Sequence, residues 1–189
     1  MRAVRLFTVV TMSSFTLLWL PVLSRGAAQA GEMNVRWERI IGNQQTFDLV
    51  GVGAGQVMGA APWETTQGRA QVNLDTGRMR FAVQGLVLSV GSAGDGAFLG
   101  LDIGTAAGVT EVQGTLVCDV DGSAGGGNSV LVEAPAVPLS AQGEAKFTGT
   151  VGFLPAACLT EPDMAFLIRI VTPAEFGGLW IAAGAVRIP

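Results

Sequence analysis

Apolar and polar positions alternate with a period of two along much of the chain, the pattern of strands with one face buried and one solvated. Asn34 to Ile41 sets Val35, Trp37 and Ile41 against Arg36 and Glu38. Gly68 to Leu74 sets Ala70, Val72 and Leu74 against Arg69, Gln71 and Asn73, and Arg78 to Val83 repeats the pattern with Met79, Phe81 and Val83 inward. Between these two lies Asp75-Thr76-Gly77, whose final glycine suits a type I turn closed by a left-handed residue, so the pair is predicted to be a hairpin. Its polar face carries Arg69, Arg78 and Arg80, charges that a solvated outer face explains without a ligand. Val112, Gly114, Leu116 and Cys118 fall on one face of the strand Val112 to Cys118. Ser129 to Glu133 returns as a strand, and Glu144 to Phe153 alternates from Ala145 through Phe147, Gly149 and Val151 to Phe153. Met164 to Val171 and Leu179 to Arg187 are apolar on both faces, which places them centrally or under loops.

These short strands with regular turn signals predict an all-β, single-domain antiparallel β-sandwich or flattened barrel of about nine to eleven strands. The segments between them are rich in glycine. Phe47 to Val52 is a short apolar run, followed by GVGAGQVMGAAP. Gly53-x-Gly55 lacks the third glycine of a dinucleotide fingerprint, and no Gly-Lys-Ser/Thr follows, so a flexible loop is the better reading. Beside it, Trp63 and Glu64 are candidates for a ligand loop, with a ring tucked over one end of the core as the alternative for Trp63. Gly85 to Val90 extends the sheet. Gly91 to Gly108 is a long connection with at most one short strand, around Phe98 to Ile103, and Asp95 joins Trp63 and Glu64 as a candidate loop residue. Asp119-Val120-Asp121-Gly122 opens another loop. Two aspartates at i and i+2 make Asp119 and Asp121 weak candidates for calcium, with Asn128 and Ser129 as further oxygen donors, but a calcium loop needs its donors at set positions and a closing glutamate, and an acidic turn accounts for the pair.

The N-terminus changes the setting. Arg2 and Arg5 precede a largely apolar Leu6 to Leu23, and Ala28-Gln29-Ala30 supplies a small-x-small cleavage pattern, so residues 1–30 are expected to be a secretory signal and 31–189 the single β-domain. An uncleaved anchor is the rival, weakened by Thr8, Thr11, Ser13, Ser14, Thr16 and Pro21. Cleavage leaves no further apolar span in the chain. It also removes Arg2, Arg5 and Arg25, leaving eight of the 11 basic residues against all 15 acidic ones, a net charge of −7. That charge argues against nucleic acid or an anionic membrane as partner through a basic patch. Two cysteines in an exported chain, Cys118 and Cys158, are expected to form one disulfide, because export leads to an oxidising compartment, whether periplasm, cell surface or medium.

The 189 residues include no histidine, which removes the usual general base, Ser-His-Asp and Cys-His nucleophiles and histidine metal sites. The one lysine, Lys146, has no serine paired with it in sequence, and a CxxC motif is absent. Carboxylates such as Glu64, Glu111, Glu133, Glu144, Glu161 and Asp163 could serve a glycosidase, yet the chain has no tyrosine and, beyond residue 30, only Trp37, Trp63 and Trp180 as sugar platforms. No catalytic residue and no cofactor are therefore assigned. The missing tyrosine and short strands also argue against a membrane barrel with aromatic girdles. Gln67-Gly68-Arg69-Ala70 and Gln142-Gly143-Glu144-Ala145 echo one another, as glycine-punctuated strands do by chance.

GRAQVNLDTGRMRFAVQGLVL, QGTLVCDVDG, VPLSAQGEAKFTGTVGFLPAAC, AFLIRI and WIAAGAVR together resemble a group of uncharacterised bacterial secreted proteins, over most of residues 31–189. That resemblance implies export and a paired-cysteine β-domain, and no activity. The first half also resembles, more weakly, the CHRD domain, a secreted β-domain whose histidine-containing motif has no counterpart here. Three functions follow in order: an exported, non-enzymatic domain that binds an unidentified protein or small molecule; a structural or self-associating envelope protein; and a carboxylate-based hydrolase.

Overall fold

A computed structural model describes residues 33–89, 103–124, 126–160 and 163–188. The expected signal at residues 1–30 and the candidate Asp95 lie outside these, as does the strand expected around Phe98 to Ile103, apart from Ile103 itself, which stands in a turn. The strands among the described residues are β1 (Asn34–Gly42), β2 (Leu49–Val50), β3 (Val57–Met58), β4 (Trp63–Glu64), β5 (Gln67–Asn73), β6 (Arg78–Gln84), β7 (Val87–Leu88), β8 (Glu111–Cys118), β9 (Val130–Glu133), β10 (Val137–Pro138), β11 (Ala145–Thr150), β12 (Met164–Thr172) and β13 (Trp180–Ile188). One turn of helix, α1 (Ala157–Thr160), carries Cys158.

Nine of the strands form one antiparallel sheet in the order β10-β8-β12-β13-β1-β5-β6-β11, with β9 beside β8. The sheet curls into half a barrel, as the alternation predicts for an all-β domain. Its curl is visible in the rings. Phe166 of β12 lies 5.5 Å from Trp37 of β1 and 5.9 Å from Phe81 of β6, centroid to centroid, and Phe81 lies 6.0 Å from Phe147 of β11. In a flat sheet, strands four apart would be separated by about 19 Å. Gly114 on β8 makes the close approach possible, since a Cβ there would stand 2.7 Å from the Phe81 ring and 2.9 Å from that of Phe166. The turn from β10 to β11 ties the ends of the sheet together: Leu139 N donates to Thr110 O at 2.9 Å and Leu86 N to Gly143 O at 3.0 Å.

The β5–β6 hairpin forms as expected, with Asn73 opposite Arg78 and Gly77 left-handed at φ 65°. Leu74 belongs to its turn, where Gly77 N donates to Asn73 O at 2.9 Å. Outside the curl, the β2–β3 hairpin lies on the opposite face of the sheet, and Val57 joins Val117, Leu167 and Trp180 in a second, smaller core. This cover is why β8, β12 and β13 carry apolar residues on both faces. It also corrects the flexible-loop reading of residues 51–55. Ser129 Oγ accepts from Val52 N at 2.9 Å, Asn128 Oδ1 accepts from Ala54 N at 2.8 Å, and Ser129 N donates to Val52 O at 3.0 Å, so the segment is pinned to the start of β9.

Four apolar positions depart from the pattern. Ile41, expected inward with Val35 and Trp37, is exposed and Ile40 is buried in its place, because the register of β1 against β13 shifts on both sides of Arg39. Phe47 and Leu49 are exposed, because only Leu49–Val50 of that run is strand and Val50 alone faces the second core. Phe153 is fully exposed, since β11 ends at Thr150 and the alternation that aimed Ala145 inward stops with it. Gly85 to Val90, described as far as Ser89, does not extend the large sheet: its strand Val87–Leu88 pairs with β4 in a separate two-stranded sheet.

Candidate functional site

Cys118, at the end of β8, and Cys158, in α1, form the expected disulfide, with Cα atoms 4.9 Å apart. Both are buried in the main core. The bond is compatible with an oxidising compartment and ties the β9–β11 stretch to the middle of the sheet.

Of the two positions open to Trp63, the structure takes the core. The residue is 2 % exposed, on β4 opposite Leu88, and its backbone N–H donates to Asn43 O at 2.7 Å. Glu64 beside it is exposed, and the two therefore present no shared loop surface. Asp119 and Asp121 shape their turn. Asp119, left-handed at φ 54°, accepts from Ala124 N at 3.0 Å, and Asp121 accepts from Ser123 N at 2.9 Å. The Ser123 hydrogen bonds hold the Asp121 carboxyl below the usual aspartate range. Asp163 accepts from Asp121 N at 2.9 Å, so these carboxylates spend their acceptors on backbone N–H groups. Among the described residues, no group of three or more aspartate, glutamate or cysteine side chains is gathered as metal ligands.

The most organised polar surface is elsewhere, on the outer face of β1, β5, β6 and β11, which the β2–β3 hairpin leaves bare. Residues directly opposite one another in an antiparallel sheet share a face. Register therefore places Asn34, Asn73, Arg78 and Thr150 in one row, Arg36, Gln71, Arg80 and Thr148 in the next, and Arg69, Ala82 and Lys146 in a third. Five of the eight basic residues beyond residue 30 thus lie on one face of an acidic chain. None of the five is in an ion pair among the described residues, whereas Arg169 pairs with Glu133 on the other arm of the sheet.

Two recesses lie on this face. The smaller, about 450 Å³, is lined by Asn34, Gln71, Asn73, Thr76, Arg78, Arg80 and Thr150. An amide ladder crosses it: Arg80 donates to Gln71 Oε1, Gln71 Nε2 donates to Asn34 Oδ1 at 2.9 Å, and Asn73 Nδ2 donates to the same oxygen at 3.4 Å. Thr76 Oγ1 donates to Asn73 Oδ1 at 2.7 Å. The ladder uses one corner of the Arg80 guanidinium and leaves other N–H groups free. The larger recess, about 700 Å³, opens where β1 parts from β5. The two pair only from Asn34–Asn73 to Trp37–Ala70, and the register of β1 against β13 shifts on both sides of Arg39. Gln67 to Arg69 then pair with β6 alone, and Thr65 Oγ1 spans the gap to Ile40 O at 2.7 Å. Glu38 is the one carboxylate lining it, and the smaller recess has none, so neither assembles the carboxylate pair that glycoside hydrolysis requires.

No family model, curated protein or solved structure matches the chain. The alternation had marked Arg69, Arg78 and Arg80 as outer residues of the polar face. Asn34, Arg36 and Lys146 join them through pairings between segments distant in sequence, which periodicity within one strand does not reveal.

Proposed function

We propose that this chain is an exported binding domain that works without bond-breaking chemistry, and that it binds through the outer face of β1, β5, β6 and β11. One observation carries this: Arg80 is held beside Arg78 in a recess by the Asn34–Gln71 amide ladder. Solvated surface arginines lose side-chain entropy when fixed, so a cation already oriented by neutral amides is favourable for ligand capture. Export is supported by the pattern of residues 1–30 and by a disulfide suited to an oxidising compartment.

The test is co-sedimentation of the processed protein with cell-envelope fragments from its own host. Arg78→Gln/Arg80→Gln, with an unchanged melting curve, is expected to lose most of the retained protein. Retention equal to wild type removes the face from the account.

A second reading, self-association in the envelope, has its own observation. β11 edges the sheet, pairs only β6, and is followed by the exposed Phe153. Lys146 on that edge is the kind of residue that discourages strand pairing. Light scattering from micromolar to millimolar concentration separates the two readings, since a monomer throughout excludes self-assembly.

A further inference from the structure

We infer that the ligand of this face is an acidic glycan, an oligosaccharide bearing carboxylates or sulfates. The inference rests on the binding role proposed for the face. Three observations select this class. First, the sign: Arg36, Arg69, Arg78, Arg80 and Lys146 share one face with no ion pair among the described residues, although the chain as a whole is acidic. A net charge of one sign with a patch of the other steers a ligand to that patch. Second, the spacing: neighbouring strands lie about 4.8 Å apart and alternate residues on one strand about 6.7 Å apart. Arg36 and Arg80 are two strands apart in one row, and Arg78 and Arg80 are alternate residues of β6, so their Cα atoms lie about 10 and 7 Å apart. The cations therefore suit anionic groups distributed along a ligand rather than a single compact phosphate.

Third, the filling between the cations is amide and hydroxyl. Gln71, Thr148 and Thr150 can both donate to and accept from sugar hydroxyls, while a guanidinium meets a carboxylate or sulfate through two parallel N–H groups. Other polyanions fit less well. Single-stranded nucleic acid is held largely by base stacking on aromatic rings, and none of the three rows contains one. An anionic membrane is bound most firmly where apolar side chains enter it, and the rows offer only Ala82.

The experiment titrates the processed, disulfide-bonded protein with an oligouronate, a sulfated oligosaccharide, a neutral oligosaccharide of equal length, a single-stranded oligonucleotide and anionic lipid vesicles. Binding is measured by calorimetry at two salt concentrations. At least one of the two acidic glycans is expected to bind, at least tenfold more tightly than the neutral one, with affinity falling as salt rises. Arg78→Gln/Arg80→Gln is expected to weaken it at least tenfold, and which acidic glycan binds decides between carboxylate and sulfate. Equal binding of the neutral glycan, tighter binding of the oligonucleotide or vesicles, or no binding of either acidic glycan overturns the inference. If envelope retention still falls in Arg78→Gln/Arg80→Gln, the face stands and only the ligand class fails. If retention is unchanged, the face itself fails.

Discussion

Reducing the Cys118–Cys158 bond tests how much of this fold depends on its one covalent tie. The two cysteines are 40 positions apart. In the chain-entropy treatment, closing a loop of that length costs the unfolded state about 13 cal/mol/K, or about 4 kcal/mol at room temperature. The native side of the balance changes little, because Met164 pairs with Cys118 and keeps β8 and β12 in register without the bond. Reduction also removes no atoms from the buried pair, whereas Cys118→Ala/Cys158→Ala would add a cavity term. The assay is urea denaturation followed by tryptophan fluorescence, with and without dithiothreitol throughout the titration. With a slope of about 2 kcal/mol/M, the midpoint is expected to fall by about 2 M, with a slope no shallower than that of the oxidised protein because the released chain exposes more surface on unfolding. A fall of less than about 0.5 M would show that the unfolded chain is not constrained by the bond, and would refute the reasoning.

Other substitutions probe particular packing claims. Gly114→Ala pushes a methyl into the Phe81 and Phe166 rings and is expected to cost about 1–3 kcal/mol in the same titration; no loss would mean that the rings do not close over β8. Trp63→Ala is expected to cost about 3–5 kcal/mol while leaving glycan affinity unchanged once folded protein is compared, as suits a core ring. Loss of affinity without loss of stability would return Trp63 to the ligand site. The Asp121 carboxyl, lowered by its Ser123 hydrogen bonds, contributes stability that is fully present above its unfolded value of about 4 and is lost as pH falls through the lower folded value. The advantage of wild type over Asp121→Asn should therefore disappear on acidification below about pH 4; an advantage that grows there contradicts the sign.

Much of the fold was legible because period-two alternation and turn glycines act locally. Asp75 to Gly77 and the inward set Ala70, Val72, Met79, Phe81 and Val83 needed no tertiary information. The disulfide was legible by elimination, since the chain holds two cysteines. Phe47, Leu49 and Phe153 were illegible for the complementary reason: alternation assigns a face only while the strand lasts, and those residues lie at or beyond the ends of short strands. Trp63 could be narrowed to two positions, and only the β4–β7 pairing decides between them. The polar face was half visible. Its arginines on β5 and β6 follow from the hairpin, but Asn34 reaches Gln71 across 37 positions, and the basic rows are concealed by a net charge that sums over the whole chain.

Side-chain nitrogen spectra of arginine-labelled protein test, residue by residue, whether the face bearing Arg36, Arg69, Arg78 and Arg80 holds the ligand. On titration with the acidic oligosaccharide that binds, the guanidinium resonances of those four are expected to shift or broaden together, while that of Arg169, paired with Glu133, stays in place. Shifts centred on Arg169, or spread evenly over every arginine, would contradict the account.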